Sequence, residues 1–258
     1  MVLPRLLPHA IAATAAAAVS IAVAPAAADV VTIPAAADAT LYEDPAGTIA
    51  NGAGQHFFAG TNGSADFLSR RALIRFDLAG AIPSGATITG VTLVLNMSRA
   101  STPEPAEISL HRLLAGWSEG ASDADGNEGS GAPATPGSAT WIHRGLGDAL
   151  WSTPGGDFLP DASAAAIVSN VGVYQWSSPA MIADVQSWLD GGAANFGWAL
   201  LGDESAASTA KRFDSRENPD PALRPMLIVQ YVPAPGAGAC GAMLLAAAGG
   251  RRRPRRTA

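Results

Sequence analysis

The chain has 258 residues, 48% of them hydrophobic, and a net charge of −6. All 22 acidic side chains fall within residues 29–232, which hold only 10 of the 16 basic ones, so that span carries −12. A surface this acidic excludes nucleic-acid binding by phosphate neutralisation, and the single cysteine, Cys240, excludes an internal disulfide.

The chain opens with Arg5, an apolar run over residues 10–23 and the small residues Ala26-Ala27-Ala28. A charged start, an apolar middle and a small-residue end predict a secretory signal peptide cut between Ala28 and Asp29. Residues 29–232 contain no linker biased enough to divide them, and one domain is expected. A domain of that length buries enough core without disulfides.

Within the domain, short apolar stretches alternate with Gly and Pro turns. Strands are predicted over residues 72–77, 86–96, 107–114, 197–201 and 226–231. The second alternates most clearly, with Ile88, Val91, Leu93 and Leu95 set against Thr87, Thr89 and Thr92. Pro83-Ser84-Gly85 and Pro103-Glu104-Pro105 supply turns. Residues 116–138 form a long Gly-, Asp- and Ser-rich loop, the kind of segment that carries binding on a rigid scaffold. One amphipathic helix follows, with Ser178 as cap, Pro179 at its first position and Gly191-Gly192 at its end. Met181, Ile182, Val185, Trp188 and Leu189 form its apolar face, with Asp184, Ser187 and Asp190 opposite. Many short strands and one short helix predict an all-β sandwich or barrel.

The chemistry-bearing residues give several readings. Gly116-Trp117-Ser118-Glu119-Gly120 matches G-x-S-x-G, but the Gly/Asp-rich sequence after Ser118 lacks the helix a nucleophile elbow needs. His56, His111 and His143 are too widely spaced for a zinc signature. No catalytic set emerges, and a non-enzyme is expected. Glu119, Asp123, Asp125, Asn127 and Glu128 cluster oxygen donors in the long loop and make calcium the candidate cation. The alternative is a solvated acidic loop, because the EF-hand register D-x-[DN]-x-[DN]-G is not met, Gly126 coming too early after Asp123 and Asp125. Trp188 and Trp198 are expected in the core. Trp117, Trp141 and Trp151, with Arg144, Arg212 and Arg216, are the candidate carbohydrate contacts: indole faces stack on sugar rings, and arginine pairs with carboxylates or sulfates.

The tail spans residues 233–258. Pro233-Ala234-Pro235-Gly236 precedes an apolar run over residues 237–250 and then Arg251, Arg252, Arg253, Arg255 and Arg256. Fourteen residues at a rise of about 1.5 Å fall short of a hydrocarbon core of roughly 30 Å, and the arginines would stay cytoplasmic. The arrangement resembles the PEP-CTERM family of bacterial sorting tails. Here the motif reads Pro-Ala-Pro, without a glutamate between the prolines. The resemblance implies handling by a membrane sorting enzyme, processing near Pro233 and Pro235, and transfer to the cell surface or extracellular matrix. A plain tail anchor is the alternative.

Six stretches recur in order: residues 71–78 (RALIRFDL), 82–88 (IPSGATI) leading into Val91-Thr92-Leu93, Ala139-Thr140-Trp141, 151–157 (WSTPGGD), 213–217 (FDSRE) and 224–229 (RPMLIV). Together they resemble the DNRLRE domain, which is similar to carbohydrate-binding module family 96, over roughly residues 38–232. The resemblance implies a β-sandwich of jelly-roll type, found on secreted and surface proteins, some of which bind acidic polysaccharides. The expected function is non-catalytic polysaccharide binding at the cell surface, assisted by local arginines or bridging calcium. A structural surface or matrix component with no specific ligand is the second reading.

Overall fold

The computed structural model describes residues 27–64, 66 and 68–234. The apolar part of the expected signal peptide, Pro235, the apolar tail and its arginines lie outside the described residues. Of the other expected processing positions, Ala28 and Asp29 are exposed where the first strand begins, and Pro233 directly follows the last described strand. Among the described residues, no helix is long and apolar enough to cross a membrane.

The strands, in chain order, are β1 (Asp29–Tyr42), β2 (Ile49–Asn51), β3 (His56–Thr61), β4 (Ser69–Phe76), β5 (Thr87–Ala100), β6 (Ala106–Arg112) and β7 (Ala132–Pro133). Then come β8 (His143–Gly145), β9 (Ala149–Leu150), β10 (Ala164–Val168), β11 (Gly172–Trp176), β12 (Trp198–Leu201), β13 (Lys211–Asp214) and β14 (Met226–Val232). The helix α1 (Pro179–Leu189) lies between β11 and β12. The fold is an all-β sandwich with this one α-helix among the described residues.

The front layer runs from the first half of β1 through β14 and β5 to β13 and β3, with β11 on the far side of β5. The back layer runs β10, β6, β12, β4, the second half of β1, β2 and β7. All these pairings are antiparallel. Two strands belong to both layers, as corners of sandwiches require. β1 pairs with β14 up to Pro34 and with β4 from Ala35 onward, with an irregularity between Ala35 and Ala37. β3 pairs with β13 through Ala59 and with β4 at Gly60. Gly60 turns this corner at φ 110°, and a Cβ there would lie 2.9 Å from the Thr209 backbone, so only glycine fits.

The alternation of β5 slips between Ile88 and Val91 for a structural reason. Gln230 pairs with Gly90 and Tyr231 with Ile88, which leaves Thr89 as a bulge and returns Val91 to the inner face. β4 reads as a continuous apolar run because both of its faces are covered. Ile74 enters the main core with Phe57, Leu93, Leu95, Met97, Trp176, Trp198 and Phe213. Leu73 points the other way, into a second core with Leu41, Leu113, Ala139, Trp141 and Trp151. The long excursion between β6 and β10 supplies this outer cover.

Helix α1 starts as expected: the Ser178 Oγ accepts from Met181 N at 3.0 Å, and Met181, Val185 and Trp188 are buried. Asp184 corrects the amphipathic reading. It points into the core, where its carboxylate accepts from Trp198 Nε1 at 2.9 Å and Ser163 Oγ at 2.5 Å, with Arg112 Nη1 3.5 Å away. On the helix's outer side, Gln186 accepts from Ile88 N and donates to Ala86 O, closing the edge of β5 that β11 leaves free.

Candidate functional site

The outer face of the front layer carries a groove of about 310 Å³, floored by Phe58 and lined by Arg70, Arg99 and Arg212. Asn62, Asn127 and three serines complete a polar rim. Each arginine arrives on a different strand. Arg99 and Arg212 stand directly opposite each other across β5 and β13, and the register shifts between Arg212 and Phe213, which sets Ser98 and Arg99 against one residue of β13. Such a bulge bends a strand and re-aims its side chains. Arg212 Nε donates to Ser98 Oγ at 3.2 Å, which holds its head in place. Arg70 lies over the Tyr42 ring at 5.4 Å and donates to the carbonyls of Leu68 and Gly129.

Like charges directly opposite on neighbouring strands are unfavourable. Among the described residues no carboxylate forms an ion pair with Arg70, Arg99 or Arg212. Burial pulls the Arg212 guanidinium below its usual value, and Arg99 adds to that effect against the opposing pull of Asp214. Burial does the same to Arg70. A concentration of positive charge thus sits on a domain of net −12. An anionic group entering the groove would find guanidinium donors and side-chain amides and hydroxyls. Among the described residues the groove lining contains no carboxylate or imidazole.

The other predicted site residues go elsewhere. Trp141 and Trp151 are buried, which corrects their reading as sugar platforms: they build the second core, and Trp151 Nε1 donates to Thr140 O at 2.9 Å. Arg71 stacks on the Trp141 ring at 4.8 Å and pairs with Glu204. Trp117 is half-buried and donates to Phe196 O. Arg144 is spent on the carbonyls of Leu150 and Gly116. Only Arg212 of the predicted contacts lines the groove, joined by Asn127 from the loop read as a calcium site. Arg70 and Arg99 were missed. Pairing of β5 with β13 across more than a hundred residues brings Arg99 to Arg212, pairing of β3 with β4 brings in Arg70, and one strand's sequence does not announce its neighbour.

The loop acids also separate. Asp123, Asp125 and Asn127 are exposed, whereas Glu119 and Glu128 are drawn to different strands. Glu128, at φ 63°, accepts from Asn51 Nδ2, Gln55 N and His56 N, and lies 2.9 Å from His56 Nδ1. Burial works against its ionisation, but the bonds from His56 and Asn51 prevail and hold its carboxyl below the usual range. On the other side of the His56 ring lies Asp214, 3.4 Å from Nε2, so one imidazole bridges two buried carboxylates. Glu119 meets Arg216 in a two-point bridge at 2.8 and 2.7 Å, and the Arg216 Nε also lies 2.8 Å from Glu217. Asp38 accepts from Arg216 N at 2.8 Å.

Asp38, Glu119 and Glu217 form the one carboxylate group among the described residues with a spacing that could hold a metal ion. The Arg216 guanidinium already supplies positive charge to two of them. Burial raises the Asp38 carboxyl well above its ordinary value, and burial together with the Glu119 charge pushes Glu217 up to about 7. The arrangement fastens the long loop and the turn after β13 to β1. The five loop residues predicted to bind calcium do not converge into one cage. The chain matches no protein-family model and no curated protein.

Proposed function

We propose that this is an exported, non-catalytic surface protein that binds an anionic polysaccharide in the arginine groove of its front layer. The observation that carries this reading is the facing pair Arg99 and Arg212, joined by Arg70, in one groove of a strongly acidic domain. Holding like charges together disfavours the fold, and a carboxylate or sulfate ligand would relieve it with charge-assisted hydrogen bonds. A groove of this volume is at the small end of ligand sites, enough for a short stretch of chain. The likeness of residues 38–232 to the DNRLRE domain, and of the tail to PEP-CTERM signals, supports export and surface placement.

The test is titration of residues 29–232 with neutral and acidic polysaccharides, with calcium and with chelator, by calorimetry. Binding to acidic chains alone, weakened by salt and lost in Arg99→Gln/Arg212→Gln, is the expected result. Equal binding to neutral chains, or binding untouched by the double variant, refutes the groove as the site. The second reading, a structural surface component without a ligand, is favoured by the tryptophans: five of the six are buried, and the sixth, Trp117, is half-buried with its indole N–H held by Phe196 O. No binding to any polysaccharide would select it.

A further inference from the structure

We propose that β11 is a self-association edge, through which two copies of this chain pair antiparallel across a two-fold axis and extend the front layer over both. Within the described residues, β11 pairs only with β5 and β10 only with β6, so the front and back layers both end where β10 turns into β11, with one free edge each. The other edges are blunted. The β1 edge starts with Asp29 and stops at Pro34, and β7 is two residues ending in Pro133. The β3 edge is closed by side chains, since Thr40 accepts from Phe58 N and Asn51 donates to His56 O.

The β10 and β11 edges have none of these protections. No charged residue occurs between Asp161 and Asp184, and the strands contain no proline. Ile167, Val171 and Val173 are 61%, 66% and 63% exposed, half of the large hydrophobic side chains left exposed among the described residues. Long apolar edges without a lysine or proline are the ones that pair with further strands. The turn between the two strands is held rigid, because the Tyr174 hydroxyl accepts from Ser169 N and donates to Asn170 O. The edge is therefore presented in a fixed shape.

Two features select a second copy as the occupant. Unpaired main-chain donors and acceptors on an edge are matched by another strand, not by a small molecule or a lipid surface. A strip with no charge offers nothing to a basic or acidic partner, yet it is where two domains of −12 can meet without bringing carboxylates together. An antiparallel edge is self-complementary under a two-fold axis, and closed pairs of this kind are the commonest oligomers. The strand sense matches every pairing already present in the layer.

The test is sedimentation equilibrium on residues 29–232, a span that contains every described element and both cores. The expected result is a dimer that Val173→Lys loosens by about tenfold or more, because two lysines then replace exposed valines on the joined pair of five-residue strands and their charges lie on one face of it. Val173→Thr, which keeps the strand uncharged, should remain dimeric. Unchanged circular dichroism in the Lys variant separates lost pairing from lost folding. A monomer at the highest soluble concentration overturns the proposal and leaves the edge to a strand of another protein. A dimer unaffected by Val173→Lys, or an open-ended polymer, overturns it as well.

Discussion

Replacing Arg99 with Gln should make the domain more stable while weakening its grip on an anionic ligand. Arg99 faces Arg212 directly across β5 and β13, and Arg212 is held by Ser98, so it has little freedom to swing away. A directly opposed pair on a sheet is worth about 0.2–1 kcal/mol, and because Arg99 is exposed the repulsion falls at the low end, about 0.2–0.5 kcal/mol. For a domain of this size that corresponds to a melting-temperature rise of roughly 0.5–2 °C in the variant. Scanning calorimetry of residues 29–232 at low ionic strength measures it, and the gain should shrink as salt screens the pair. Affinity for an acidic polysaccharide should fall about tenfold, as loss of one charge-assisted hydrogen bond implies. A melting temperature that falls in Arg99→Gln would refute the reasoning, because Arg99 would then be holding the sheet together instead of waiting for a ligand.

Three further outcomes follow from the buried groups. Glu217 has a folded value of about 7 against an ordinary 4.5, so the fold binds its proton more tightly than the unfolded chain does. Its contribution to stability is complete below pH 4.5 and is lost as pH rises through about 7. Denaturant titrations at pH 5 and pH 8 should show that decline, and Glu217→Gln should flatten it. Trp151→Ala should destabilise by about 3–5 kcal/mol through the cavity it leaves, with groove binding intact wherever the domain stays folded; lost binding in the folded variant would restore Trp151 as a contact. Asp184→Ala strands Trp198 Nε1 and Arg112 and should destabilise by about 3 kcal/mol in urea unfolding, whereas a neutral effect would mean the carboxylate network is dispensable.

Local rules located the strands with period-two patterning and the helix with a cap. β5, β14 and α1 lie within a few residues of their predicted bounds because their signals are short-range. β1 was not readable: its Ala-rich second half and Pro34 resemble a linker, and only the layer switch at Pro34 explains a proline inside it. Trp141 and Trp151 misled for a similar reason. Aromatic residues in a Gly/Pro-rich excursion look like loop contacts, and nothing local shows that the excursion folds back onto the outer face of β4. The acidic loop offered oxygen donors by composition, but Arg216 from the turn after β13 and His56 from β3 took two of them. Lys211 is a further case, a lone lysine fully buried on the carbonyls of Thr102 and Glu104.

The pairing of Asp29 with Tyr231 also bears on how the domain assembles. Among the described strands, the first in chain order has, for half its length, the last as its partner, about two hundred residues later. Contacts this distant in sequence slow folding, since loop-closure entropy must be met before they form. The β4 partner of β1 is available early, so the back layer can nucleate while the front layer stays open. β14 pairs with both β1 and β5 and is the strand that joins them in the front layer. A chain stopped short of residue 226 would hold every strand of the back layer and leave β5 and the start of β1 without the strand between them, so the front layer depends on the last described strand in a way the back layer does not.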